Sequence, residues 1–107
     1  MKKHIIAIIG LGYWGTIVTN TLVSMKIFKK IFIYDTDFEK AKILKKKFGN
    51  KVNYLSLDKI KKNKLIKNVF LATPPRVNFD ILVSLIDFNK NILIEKPGLT
   101  NLKQYKE

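Results

Sequence analysis

A chain of 107 residues with 47% hydrophobic residues is long enough for one domain with its own core. It has no cysteine and one histidine, which excludes a disulfide framework and a cysteine-based metal site, and we expect no metal site of any kind. The net charge is +13, but 20 of the 21 basic residues are lysine, whereas bidentate phosphate and guanine recognition favours arginine, so we expect no specific nucleic-acid partner.

A glycine fingerprint follows the first predicted strand. An apolar strand over residues 3–9 leads into three glycines with the spacing G-x-G-x-x-G: Gly10, Gly12 and Gly15. A helix over residues 13–25 and a strand over residues 31–34 come next, and Asp35 ends that strand. This order of strand, glycine turn, helix, strand and acid predicts a dinucleotide-binding βαβ unit.

Each glycine has a physical role in such a unit. Gly10 would make the tight turn, Gly12 would let the backbone approach a pyrophosphate, and Gly15 would let the helix pack close to the strand. The unpaired N–H groups at the helix N-terminus favour the negative charge of the phosphates. We therefore expect the loop residues Tyr13 and Trp14 to take part in binding.

The acid at position 35 indicates which dinucleotide is bound. An acid at the end of the second strand accepts hydrogen bonds from the adenosine ribose hydroxyls and repels a 2′-phosphate. We expect NAD to be preferred, with NADP as the alternative cofactor. A glycine turn without a ligand is the other interpretation, but it does not explain why the strand ends at an acid.

The second predicted helix has start and stop signals of its own. Thr36 and Glu39 have the spacing of a capping box, and Gly49 lies where a helix C-terminus is expected. Its predicted apolar face consists of Phe38, Ala41, Leu44 and Phe48.

The first helix carries no charged residue, so we expect it to be buried on more than one side.

The remaining elements continue the alternation. We predict a strand over 52–55, a lysine-rich helix or turn from 56, a strand over 68–72, a helix over 77–88, a strand over 91–94 and a helix beginning near 101. The strands are nearly continuously apolar, which is typical of a parallel sheet covered on both faces. The fold class is therefore a three-layer α/β Rossmann fold with strand order 3-2-1-4-5 and helices on both faces. The loops at 10–15, 72–75 and 95–98 should meet at the carboxyl ends of the strands.

Four segments together resemble the Gfo/Idh/MocA family, the glucose-fructose oxidoreductase and inositol dehydrogenase type enzymes. They are GLGYWG, YDTDFEKAKILKKKFG, ATPP and EKP, in the family's order and spacing. The resemblance implies an N-terminal Rossmann domain that binds NAD or NADP. It also implies an oxidoreductase acting on CH–OH groups, which moves hydride between the nicotinamide and a sugar, sugar nucleotide or cyclitol.

The resemblance also implies roles for particular residues. Lys96 matches the family's catalytic lysine, beside the nicotinamide and the substrate hydroxyl, and Glu95 matches an acid near the nicotinamide ribose. Thr73 and Pro74 match the loop packed against the cofactor. Many members have a histidine where this chain has Asn78, which can hydrogen-bond to a cofactor but cannot exchange protons.

The family's larger C-terminal substrate domain is absent from the sequence, so we expect residues 1–107 to form the dinucleotide-binding domain alone. Such a domain would bind cofactor but turn over a small polyol or sugar poorly unless a second domain is supplied. One alternative is a non-enzymatic nucleotide-binding or sensor module that keeps the fold without turnover. Another, resting only on charge, is a basic accessory protein for nucleic acid.

Location and assembly follow from the apolar segments. No apolar run reaches transmembrane length, and the run over residues 5–9 ends in the glycine turn rather than in a signal cleavage site. We expect a cytoplasmic protein with no membrane partner. The helix over 77–88 is apolar on more than one face, Leu85 included, so we also expect a homo-oligomer.

Overall fold

Strands and helices alternate along the part of the chain that the computed structural model describes, residues 4–73 and 75–94. The elements are β1 (His4–Ile9), α1 (Tyr13–Met25), β2 (Phe28–Tyr34), α2 (Phe38–Phe48), β3 (Val52–Tyr54), α3 (Leu57–Lys62), β4 (Asn68–Leu71), α4 (Pro75–Ile86) and β5 (Asn91–Ile94). A short 3-10 turn, Gly49–Lys51, joins α2 to β3. The helix expected near residue 101 and the loop at 95–98 lie outside the described residues.

The strands form a parallel sheet in the order β3-β2-β1-β4-β5, which confirms the predicted topology. β1 is central, and its last residue, Ile9, is in register with Tyr34 of β2 and Leu71 of β4. Leu71 is in turn in register with Ile94 of β5. The chain reverses its winding direction between β1 and β4, and a crevice at such a point is where open α/β sheets bind ligands.

Alternate residues of β1 face two separate cores. Ile6 and Ile8 belong to a core with residues of α1, α2 and β2, whereas Ala7 and Ile9 belong to a core with residues of α3 and α4. All four side chains are at most 4% exposed. Because a strand points successive side chains to opposite faces, this arrangement gives three layers with helices on both sides of the sheet.

The expectation that α1 is buried on more than one side is wrong. Gly15 and Thr19 are its buried residues, whereas Ile17 and Met25 are exposed. Hydroxyl and amide side chains that bond to the helix backbone make up the rest of the uncharged outer surface. Thr21 Oγ1, for example, donates to the Ile17 carbonyl oxygen at 3.0 Å. Helix α1 can therefore lack charge and still face solvent.

The start of α2 also differs from the prediction. Asp37, not Thr36, caps the helix, and its Oδ1 accepts from the Glu39 N–H at 3.1 Å. The Asp37 N–H is itself held by Asp35, which moves the cap one residue along the chain. Phe38 is half exposed and packs edge-on against Tyr54 rather than joining the buried face.

Candidate functional site

The turn after β1 requires a glycine at its first position. Gly10 has φ +99°, and a Cβ there would lie 2.8 Å from the Ala72 carbonyl carbon and the Thr73 nitrogen. Its N–H donates to the Tyr34 carbonyl oxygen at 2.8 Å, so the turn continues the pairing of β1 with β2. The close approach brings the glycine loop, residues 10–15, against the residues that follow β4, where sequence reasoning placed two of the site's loops.

Gly15 is required by the packing of α1 on this turn. A Cβ at Gly15 would lie 1.8 Å from the Gly10 carbonyl oxygen and 3.4 Å from the Ala72 Cβ. Contacts below 3.0 Å do not occur for real Cβ atoms, so no other residue fits without displacing the helix. The N-terminus of α1 is thereby held against the carboxyl end of β1.

Gly12 differs from the other two glycines because the protein itself does not require it. Its φ is −74°, which is ordinary for any residue, and a Cβ there would meet no described atom within 4 Å. Gly12 is the N-cap of α1, and no side chain within the described residues caps this end of the helix. The result is an open backbone surface at a helix N-terminus, which fits the phosphates of a dinucleotide.

Asp35 connects the glycine loop to the start of α2. Its Oδ2 accepts from the Leu11 N–H at 2.7 Å, and its Oδ1 accepts from the Asp37 N–H at 2.8 Å. A carboxylate has about four lone-pair positions, so each oxygen can still accept from a ribose hydroxyl. Sequence reasoning missed the bond to Leu11, although the pairing of β1 with β2 places residue 35 beside the glycine loop.

Two aromatic side chains stand at the opening of this site. Tyr13 is 75% exposed and Trp14 is 46% exposed, and their rings pack edge to face with centroids 5.3 Å apart. Both belong to the first turn of α1, directly after Gly12. Trp14 is the protein's single tryptophan, so its fluorescence can report on this end of the helix alone.

The structure brings together part of the predicted set of site residues. Thr73 follows β4 and lies against the turn at Gly10. Pro74, Glu95 and Lys96 lie outside the described residues, as does the side chain of Asn78, so their roles stay predictions.

Neither a metal-binding cluster nor a membrane span is found within residues 4–73 and 75–94. No group of three or more His, Cys, Asp or Glu side chains comes together there as a metal site would require. None of the described helices is both long and apolar enough to span a bilayer.

A family model described as "Oxidoreductase family, NAD-binding Rossmann fold" (GFO_IDH_MocA) matches residues 5–107. No curated protein matches the chain significantly. Among solved structures, one from Desulfitobacterium hafniense DCB-2, assigned as an NADPH-dependent oxidoreductase, superposes with TM-score 0.83 at 17% identity. That match covers 98% of this chain and 30% of the other.

Two further solved structures contain a bound cofactor. GenD2 from gentamicin A biosynthesis, in complex with NAD, has TM-score 0.78 at 24% identity, covering 92% of this chain and 28% of its own. The scyllo-inositol dehydrogenase from Lactobacillus casei, with NAD(H) and scyllo-inositol, has TM-score 0.75 at 23% identity, covering 90% and 28%. The chain thus spans less than a third of the length of these structures, and they share its fold.

Proposed function

Because the chain belongs to the Gfo/Idh/MocA family of oxidoreductases, as an NAD-binding Rossmann domain, we propose that its open glycine loop binds NAD for a dehydrogenase reaction. The substrate class is a sugar, sugar nucleotide or cyclitol bearing the CH–OH group that exchanges hydride. The observation that carries the proposal is the unfilled space at Gly12, next to the carboxylate of Asp35. Neither the family match nor the neighbours favour a non-enzymatic sensor module.

The chain's own residues would hold the two ends of the adenosine diphosphate part. The backbone at Gly12 and the first turn of α1, including Tyr13 and Trp14, would face the pyrophosphate. The carboxylate of Asp35 would accept from the ribose hydroxyls while keeping its bonds to Leu11 and Asp37. When bound, the dinucleotide supplies the hydride-transferring nicotinamide.

NAD is the proposed cofactor in preference to NADP. A 2′-phosphate near the Asp35 carboxylate would be repelled unless a cation lay beside it. The nearest candidates in the sequence are lysines of α2, and Lys42 is paired with Glu39 at 3.4 Å. GenD2 and the scyllo-inositol dehydrogenase contain NAD, which agrees with this proposal, although the Desulfitobacterium protein is assigned to NADPH.

Catalysis is proposed to rest on Lys96. The family resemblance assigns it to proton transfer at, or polarisation of, the substrate hydroxyl, with Glu95 near the nicotinamide ribose. Thr73, Pro74 and Asn78 are proposed to contact the cofactor. The rest of the substrate pocket would come from a second domain, as the family resemblance implies.

The proposal is tested by titrating the 107-residue protein with NADH while following Trp14 fluorescence and, independently, the heat of binding. A Cβ at Gly12 would meet no described atom within 4 Å, so Gly12→Val should fill the open space, abolish binding and leave the circular dichroism spectrum unchanged. Thr21→Val adds the same side chain to an exposed position of the same helix and should bind as the parent does. Equal affinity of parent and Gly12→Val would place the site elsewhere.

A further inference from the structure

A second concave surface lies at the amino ends of the strands, whereas the glycine loop lies at their carboxyl ends. It is a cleft of about 670 Å³ between the ends of α3 and α4, at the amino ends of β4 and β5. We call it the lysine cleft, after the five lysines that line it: Lys61, Lys62, Lys64, Lys67 and Lys90. Ligand pockets have volumes of roughly 300–1,000 Å³, so its size suits a small molecule.

Two of the five ammonium groups already have partners. Lys62 forms an ion pair with Asp58 at 3.2 Å. Lys90 donates to the carbonyl oxygens of Asn63, at 2.7 Å, and Ile66, at 2.5 Å, and its partial burial lowers the pKa of its ammonium group. Lys90 thus joins the start of β5 to the loop after α3 and forms one side of the cleft.

The other three lysines have no hydrogen-bond or ion-pair partner within residues 4–73 and 75–94: Lys61, Lys64 and Lys67. Lys61 lies in the last turn of α3, where a cation offsets the helix dipole. That explanation does not extend to Lys64 and Lys67, which come after the helix has ended. Asp87 is the one carboxylate in the lining, so the cleft carries a local excess of positive charge.

Other lining groups suit a phosphate-bearing ligand. Phe88 is 38% exposed and lines the cleft together with Asn89 and Asn91. Lysine ammonium groups bind phosphates as point charges, and an aromatic face can stack on a base. We propose that the lysine cleft binds a small multiply charged phosphate anion, either an inorganic polyphosphate or the phosphate chain of a nucleoside polyphosphate. This site is separate from the dinucleotide site.

Titration calorimetry of the 107-residue protein with inorganic triphosphate tests the proposal. The double variant Lys64→Ala/Lys67→Ala should weaken binding about tenfold, because it removes two ammonium groups that would pair with the phosphates. The matched control Lys29→Ala/Lys40→Ala removes two exposed ammonium groups elsewhere and should stay within about twofold of the parent. An equal loss in both double variants would overturn the proposal, since the binding would then reflect net charge alone.

Cross-titration separates the two sites. Gly12→Val should keep triphosphate binding, and Lys64→Ala/Lys67→Ala should keep NADH binding. Loss of triphosphate binding in Gly12→Val would overturn the second site. Loss of NADH binding in Gly12→Val is the result that the proposed function expects, and it does not test the second site.

Two further ligands distinguish the source of the phosphates. ATP binding more tightly than triphosphate, with the difference removed by Phe88→Ala, would support a nucleoside polyphosphate. Equal affinities for ATP and triphosphate would support an inorganic polyphosphate as the ligand. A single-stranded oligonucleotide that binds more tightly than either, at an equal number of phosphates, would overturn the proposal in favour of nucleic acid.

Discussion

The backbone N–H of Leu11 donates to Asp35 Oδ2 at 2.7 Å, so the residue expected to recognise the ribose also holds the glycine loop in place. Leu11 is a buried core residue, and its side chain fixes the position of the N–H that reaches Asp35. Asp35 Oδ1 is held by the Asp37 N–H at 2.8 Å. The carboxylate is therefore oriented before any ligand arrives, which reduces the cost of ordering it on binding.

Replacing Asp35 should affect stability as well as affinity. Asp35→Ala leaves the N–H groups of Leu11 and Asp37 without their acceptor, and we expect a loss of roughly 1–3 kcal/mol in the free energy of unfolding. Urea denaturation measures this loss. The control Asp80→Ala removes an exposed carboxylate and should stay within about 0.5 kcal/mol of the parent. An Asp35→Ala protein as stable as the control would show that these bonds contribute little.

Adding the same methyl group at Gly12 and at Gly15 should change the stability of the protein at Gly15 only. Gly15→Ala would place a Cβ 1.8 Å from the Gly10 carbonyl oxygen, so we expect a loss above about 4 kcal/mol or failure to fold. Gly12→Ala meets no described atom within 4 Å and should fold as the parent does. Thermal denaturation followed by circular dichroism compares the two, and equal melting temperatures would contradict the packing described for α1.

Cofactor preference provides a test of the role of Asp35. We expect NADH to bind at least about tenfold more tightly than NADPH at physiological salt, which corresponds to about 1.4 kcal/mol of repulsion between the carboxylate and the 2′-phosphate. Asp35→Ser removes that charge and should bring the affinities for NADH and NADPH closer together. Equal affinity of the parent for both cofactors would contradict the assignment of Asp35.

Self-association should depend on the outer face of α4 and β5. Ile86 is 63% exposed and Leu93 is 57% exposed, whereas Leu85, on another side of α4, is fully buried in the core. We expect concentration-dependent association in sedimentation velocity at moderate salt, which screens the +13 charge. Ile86→Lys should reduce it, and Ile43→Lys on α2, where Ile43 is 66% exposed, should not. A parent that stays strictly monomeric at high concentration would refute this expectation.

The isolated chain should show little or no dehydrogenase activity even when it binds cofactor. Lys96 alone cannot orient a substrate hydroxyl against the nicotinamide, and orientation contributes about 7–11 kcal/mol to catalysis. Absorbance at the NADH band, with a polyol such as scyllo-inositol and NAD, should stay at background for the parent and for Lys96→Ala alike. Robust turnover that does not depend on Lys96 would refute both the role of this lysine and the need for a second domain.

The sequence by itself determined the order of the strands and the position of the glycine loop. The continuous apolar strands require a sheet covered on both faces, and Gly10 and Gly15 stand where the backbone allows no side chain. Both constraints are local: the apolar runs of the strands and the spacing of the glycines lie in consecutive residues, so they can be identified without knowing what lies across the sheet.

Only the tertiary structure decided which groups meet across the fold. The Leu11–Asp35 bond joins residues 24 positions apart, and it depends on the register of β1 with β2. That same carboxylate holds the Asp37 N–H and moves the cap of α2 off Thr36. The lysine cleft likewise brings together cations from α3, from the loop after it and from the residue before β5, because the amino ends of parallel strands lie at the same end of the sheet. Four of these lysines fall in the lysine-rich segment that the sequence shows, but charge patterning reports helix faces and not the ends of a sheet, so it gives no sign that Lys90 joins them.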